Sequence, residues 1–177
     1  MAAADWLARL ELAEVRFCLR ANRSCEWPPN LMLFSAASRL GDGIFWYGLM
    51  AILPLLYGTA GLDTSVRMAV AGLLGTAVYR LLKDRLARER PYNLHPRIRA
   101  GARALDRYSF PSGHTLHAVS FTLIVVTALP AMAWLLVPLA VLIAMSRVIL
   151  GLHYPSDVIA GALLGALLAR LVLAVLG

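Results

Sequence analysis

The sequence predicts an all-α fold, a polytopic membrane helix bundle of about five transmembrane helices with an interfacial amphipathic helix at its N-terminus. Three observations carry this. The 177 residues are 60% hydrophobic and only 15% charged, a balance foreign to water-soluble domains. The apolar residues gather in runs long enough to cross a bilayer, which takes about 17–25 residues per helix. Most of the charges lie ahead of those runs, between them or toward their ends, where the low-dielectric interior penalises them least.

Each element follows in order. Residues 4–22 mix apolar Trp6, Leu7, Leu10, Ala13, Val15 and Phe17 with Asp5, Arg9, Glu11, Glu14, Arg16 and Arg20. That is too charged to span and suits the membrane surface. Trp27-Pro28-Pro29 breaks the segment, and residues 30–40 form a short helix ending near Arg39. Gly41-Asp42-Gly43 reads as a turn. The first span covers residues 44–60, opens on Phe45, Trp46 and Tyr47 at the interface, and holds Pro54 as a candidate kink. Gly61-Leu62-Asp63-Thr64-Ser65 reads as a turn with a helix start. The second span runs from Val66 to about Leu82, the third from Ser112 to Leu129, the fourth from Ala131 to Leu150, and the fifth from Pro155 to about Leu176. The whole of 1–177 is expected to form one domain, with 1–40 interfacial and 41–177 transmembrane. Cys18 and Cys25 read as unpaired apolar fillers, and no Cys/His cluster has zinc spacing. The N-terminus lacks the basic and apolar regions of a cleavable signal.

The net charge is +7, and its distribution says more than its size. Arg85, Arg88, Arg90, Arg97, Arg99, Arg103 and Arg107 crowd one connection. Such charge permits nucleic-acid binding, but the apolar flanks and the lack of a basic amphipathic helix argue against it. Lipid headgroup phosphates in the bilayer are the nearer partners. Lys83 is the only lysine in the chain.

Three polar stretches stand where apolar runs begin or end. The first is Lys83, six residues, then Arg90-Pro91. The second is Pro111-Ser112-Gly113-His114. The third is Ser146-Arg147, five residues, His153, three residues, Asp157. Alternating the spans up and down brings all three to one membrane face. Order and spacing resemble the tripartite signature of the type 2 phosphatidic acid phosphatase superfamily, which includes bacterial lipid phosphatases and soluble vanadium haloperoxidases. Three ordered motifs are far more specific than a lone Pro-Ser-Gly-His.

The resemblance implies a small bacterial lipid phosphatase working without cofactor or metal. His153 is the candidate nucleophile, forming a phosphohistidine that water hydrolyses, and Asp157 orients its other nitrogen. His114 is the candidate general acid. Ser112 and Gly113 open a helix whose free N–H groups can cradle phosphate oxygens. Lys83, Arg90 and Arg147 would bind the non-bridging oxygens and stabilise transition-state charge. Asp84, Glu89, Asp106 and Asp157 are not arranged as a magnesium cage. His117 either contacts substrate or is buried polar matter near the site, His95 reads as solvated, and Arg170 reads as a snorkelling control. Tyr108 and Phe110 are weak candidates for the lipid entrance.

The substrate expected first is undecaprenyl diphosphate. Phosphatidylglycerophosphate, phosphatidate and lipid-to-lipid phosphotransfer are alternatives within the same chemistry. A small transporter or channel is the non-enzyme alternative; against it, the charges gather at one face and no inverted repeat is visible. Counting positive charges places the arginine-rich side in the cytoplasm. The resemblance implies instead a site facing the periplasm from the bacterial inner membrane, and that orientation is expected here.

Overall fold

The computed structural model describes residues 2–176, with side chains from residue 9 onward. Trp6, Leu7 and Asp5, used above for the amphipathic first helix, lie outside the described side chains. The order is α1 (Ala2–Arg23), a 3-10 turn (Ser24–Glu26), α2 (Pro28–Leu40), α3 (Ile44–Leu86), α4 (Pro91–Leu94), α5 (Gly113–Ala128), a 3-10 turn (Pro130–Met132), α6 (Ala133–Ile149) and α7 (Pro155–Leu176). Among the described residues there is no strand. The runs Ile44–Leu94, Pro130–Ile149 and Pro155–Leu176 are long and apolar enough to cross a membrane, and Gly113–Ala128 is a shorter apolar helix. Ile44, Leu55, Leu73, Trp134, Leu163 and Val175 stand exposed on the outside, the surface that lipid covers.

Helix α3 consists of two arms. Its 43 residues break at Gly58, whose φ of 56° and ψ of −131° are non-helical, a conformation open to glycine. The arms 44–57 and 59–86 fold back on each other. The chain therefore reverses at Gly58, and the expected turn at 61–65 is helical. The polar residues there serve the helix instead: Asp63 pairs with Arg67 at 2.7 Å, and Thr64 Oγ1 donates to Ala60 O at 2.8 Å. Pro54 has no N–H to give the Met50 carbonyl, and Ser65 Oγ from the opposite arm lies 2.8 Å from that oxygen. The second arm also runs past Leu82, so Lys83 sits within its last turn.

Helix α5 is central, packing on α3, α6 and α7. Trp46, Met68, Phe121, Ile124, Leu136 and Ile143 form the core around it. Its contact with α7 is backbone-close. A Cβ on Gly161 would lie 2.5 Å from Ser112 O, and one on Gly165 would lie 2.4 Å from Leu116 O. This is the small-residue packing that membrane helices use to approach. It sets the start of α7 beside the start of α5, so the second and third polar stretches meet.

Candidate active site

Lys83 is delivered by the end of α3, which Ala87 caps in a left-handed conformation. Its Nζ donates to Asp106 Oδ1 at 2.7 Å and to Tyr108 O at 2.9 Å. Arg90 caps the short, unpredicted helix α4 in an extended conformation. Its Nη2 donates to the same Asp106 oxygen at 2.6 Å and its Nη1 to Leu152 O at 2.8 Å. Arg147, in the last turn of α6, is buried; its Nη1 donates to Ser38 Oγ and its Nε has no partner.

His114 stands in the first turn of α5, with Nε2 2.6 Å from Asp42 Oδ1. Gly41 packs flat against this ring: a Cβ there would lie 2.9 Å from His114 Cδ2. Ser112 is the N-cap, as its place before a helix suggests. Its Oγ lies 3.0 Å from Thr115 Oγ1 and its N–H donates to Asp157 O at 3.0 Å.

His153 occupies the turn between α6 and α7. Gly151, at φ 72°, closes α6, and the N–H groups of Leu152 and His153 both donate to Arg147 O at 3.0 Å. The imidazole is buried, with Nε2 3.3 Å from Arg90 Nη1. Its Nδ1 faces Asp157 Oδ2 at 3.6 Å and has no hydrogen-bond partner. Asp157 is engaged elsewhere: Oδ2 accepts the Tyr154 N–H at 2.8 Å and Oδ1 accepts Arg88 Nη1 at 2.6 Å. The simple His–Asp hydrogen bond expected from the four-residue spacing is therefore not formed in this geometry.

Lys83, Arg90, Gly113, His114, Arg147 and His153 line one cavity of about 540 Å³. Ser112 and Asp157 are buried behind its wall. The cavity continues along Trp46, Met50, Gly72, Leu73 and Phe121, an apolar continuation toward the bilayer. His117 lines it too, 3.4 Å from Thr76 Oγ1 and edge-on to Tyr79 and Phe121. Tyr108 lines a smaller adjoining pocket, and Phe110 lines neither.

The electrostatics favour a neutral histidine among cations. Burial pushes His153 well below its ordinary value, and Arg147, Arg90 and Lys83 push the same way. Burial works against the ionised form of Asp106, yet Lys83 and Arg90 hold its carboxyl below the usual range. The hydrogen bond from His114 holds Asp42 low despite partial burial.

Sequence reasoning missed four carboxylate and guanidinium partners: Asp42, Asp106, Arg88 and Glu14. Arg88 Nη2 pairs with Glu14 at 2.8 Å while Nη1 holds Asp157. Asp42 read as a turn residue and Glu14 as one polar residue of an interfacial helix. Arg88, inside the first motif, was the one with a positional signal.

Known proteins resemble this chain in sequence and in fold. An undecaprenyl-diphosphatase from Sulfolobus acidocaldarius is 33% identical over 141 residues, covering 77% of this chain and 65% of that protein. A decaprenylphosphoryl-5-phosphoribose phosphatase from Mycobacterium tuberculosis is 37% identical over 98 residues, 54% of this chain and 52% of that one. The chain thus spans less than two thirds of the length of either relative. The crystal structure of a transmembrane PAP2-type phosphatidylglycerolphosphate phosphatase from Bacillus subtilis superimposes with a TM-score of 0.77 over 94% of this chain and 86% of that one, at 24% identity. The PAP2 superfamily profile matches residues 64–177, a stretch that contains all three polar motifs, and this chain, an integral membrane helix bundle, belongs to the PAP2 superfamily.

Proposed function

We propose that this protein is a lipid phosphatase that removes the terminal phosphate of a lipid phosphate or diphosphate through a phosphohistidine, with undecaprenyl diphosphate as first substrate. The observation that carries this is the convergence of Lys83, Arg90, Arg147, His114 and His153 on one cavity whose far wall is apolar. That pairing fits a molecule with a phosphate head and a hydrocarbon tail. The name of the archaeal relative supports the choice of lipid.

In the first step the Nε2 lone pair of neutral His153 attacks phosphorus and the bond from phosphorus to the leaving oxygen breaks. His114 gives that oxygen its proton. Lys83, Arg90 and Arg147 take the charge on the non-bridging oxygens, and Gly113 lets the start of α5 approach them. In the second step water attacks phosphorus, His114 takes the water proton, and the N–P bond breaks to release phosphate. Asp157 supports the positive charge that develops on His153. Cationic side chains take the electrostatic part that a metal would otherwise supply, so turnover is expected to persist in chelator. On this proposal the site faces the periplasm from the inner membrane.

The test is phosphate release by purified protein in EDTA from undecaprenyl diphosphate, phosphatidylglycerophosphate and phosphatidate, with His153→Ala in parallel. Release that vanishes in the variant supports the mechanism, and the preferred lipid identifies the substrate. Release that survives the substitution, or strict dependence on added magnesium, would sink it.

A further inference from the structure

Helix α1 lies outside residues 64–177, the stretch matched by the family profile, and its sequence suggests only a surface helix. Its buried face says otherwise. Glu14, Cys18 and Asn22 follow one another at intervals of four and are 8%, 0% and 7% exposed, one stripe of a helix. Each touches the segment that carries His153 and Asp157, or the turn just before it. Glu14 Oε1 accepts the Ser156 N–H at 2.7 Å. Cys18 Sγ lies 3.8 Å from His153 O. Asn22 Nδ2 donates to Ile149 O at 3.0 Å.

Arg88 completes the arrangement. One arm of its guanidinium donates to Asp157 Oδ1 at 2.6 Å and to Ser156 Oγ at 2.7 Å; the other donates to Glu14 Oε2 at 2.8 Å. Its plane lies over the Tyr154 ring at 4.1 Å. Arg88 therefore joins α1 to the start of α7 through a bidentate fork, a geometry lysine cannot reproduce. As a stabilising device this triad is a poor choice, because apolar residues of similar volume often do as well. As a positioning device it is well suited. Asp157 turns one oxygen to Arg88 and leaves the other 3.6 Å from His153 Nδ1, so any rotation of the carboxylate changes that gap directly.

We propose that Glu14 and Arg88 are positioning residues for the His153–Asp157 pair, and that α1 is thereby a working part of the active site; this rests on His153 being the nucleophile. Glu14 holds the far arm of the guanidinium, Arg88 holds Asp157, and Asp157 faces His153.

The experiment uses the full chain in lipid nanodiscs with undecaprenyl diphosphate. It compares Glu14→Gln, Glu14→Asp and Arg88→Lys with the parent, with His153→Ala, and with Arg16→Gln on the exposed face of α1. The readouts are kcat, KM, the melting temperature and the rate of phosphohistidine formation in the first turnover. Glu14→Gln and Arg88→Lys are expected to lower kcat and phosphohistidine formation by about tenfold, within the roughly 10²-fold that a 1 Å misplacement costs. KM stays near the parent's; the melting temperature falls, because a partly buried pair loses one partner, but the variants remain folded at the assay temperature. Glu14→Asp recovers part of the rate, and Arg16→Gln matches the parent. If Glu14→Gln does not fold, Glu14→Asp and Arg88→Lys decide: slower phosphohistidine formation supports the proposal, and parental rates overturn it. A loss of kcat that merely follows the unfolded fraction overturns it as well. Parental turnover in these variants beside an inactive His153→Ala overturns the role of α1 and leaves the nucleophile standing. An active His153→Ala removes the nucleophile reading, and the positioning role falls with it.

Discussion

Asp106→Asn should tighten the binding of orthophosphate. A single Asp106 oxygen holds both Lys83 Nζ at 2.7 Å and Arg90 Nη2 at 2.6 Å. The two cations are nearly buried, with side chains 6% and 1% exposed, while the carboxylate is 38% exposed. An incoming phosphate competes with that carboxylate for the same donors. A hydrogen bond involving a charged group contributes a net of about 1.5–3 kcal/mol. Two bonds to one partly exposed oxygen warrant the lower end counted once, about 1.5 kcal/mol. That corresponds to roughly tenfold in affinity.

Titration calorimetry with orthophosphate, on protein in nanodiscs, reads this directly, and the melting temperature reads its other side. Without phosphate, Asp106→Asn melts lower than the parent, because Lys83 and Arg90 lose their counter-charge. With phosphate it gains more, since a ligand at 100 times its Kd stabilises by about 2.7 kcal/mol. The pH dependence has a definite sign. The folded carboxyl is held below its ordinary value of 3.8, so its contribution is present above that value and lost as pH falls through the folded one. The melting-temperature gap between parent and variant therefore closes in acid. An unchanged or weaker phosphate affinity, with no change in melting temperature, would refute the competition between Asp106 and phosphate.

Other substitutions probe the remaining geometry. Asp42→Asn removes the carboxylate 2.6 Å from His114 Nε2 and should lower kcat by about tenfold, within the range of a weakened general acid; parental kcat would show that Asp42 only closes the turn. Because burial, Arg147, Arg90 and Lys83 push His153 well below its ordinary value, the acid limb of kcat/KM, corrected for substrate ionisation, should lie well below that of an ordinary histidine. A limb at the ordinary histidine value would contradict the burial of the nucleophile. Gly161→Ala places a Cβ 2.5 Å from Ser112 O, so it should cost about 1–3 kcal/mol by overpacking and lower activity by separating α5 from α7; an unchanged melting temperature would mean that the helices yield without strain.

What the sequence made legible was whatever depended on local order. Long apolar runs marked the helices, and the spacing of Lys83, Arg90, Ser112, Gly113, His114, Arg147, His153 and Asp157 marked the site. Six of those eight line the cavity, and the other two stand directly behind it. The reversal in α3 was misplaced because Gly61, Asp63, Thr64 and Ser65 are typical turn residues, while a single glycine among apolar neighbours carries little signal. In a membrane helix those hydroxyls can bond back to the preceding turn, and Thr64 does so. The carboxylate partners were illegible for a different reason. Asp42 meets a residue 72 positions away and Glu14 one 74 positions away, and nothing in the local composition distinguishes either from an ordinary surface acid.

Those partners explain how so many basic side chains gather in and around one cavity. Lys83 and Arg90 divide one carboxylate, His114 has another, and Arg88 is held between two more. Arg147 differs: among the described residues it has a hydroxyl from Ser38 and no carboxylate. Burying a guanidinium without a counter-charge costs several kcal/mol, and that cost falls on the cation whose own backbone carbonyl anchors the His153 turn. On the proposed mechanism, an anion brought against Arg147 would offset that cost at the site of phosphoryl transfer. A dianionic phosphate group does so better than a singly charged phosphodiester. On that proposal the uneven distribution of carboxylates would favour terminal phosphates over internal ones, through charge alone and before any contact with the lipid tail is made.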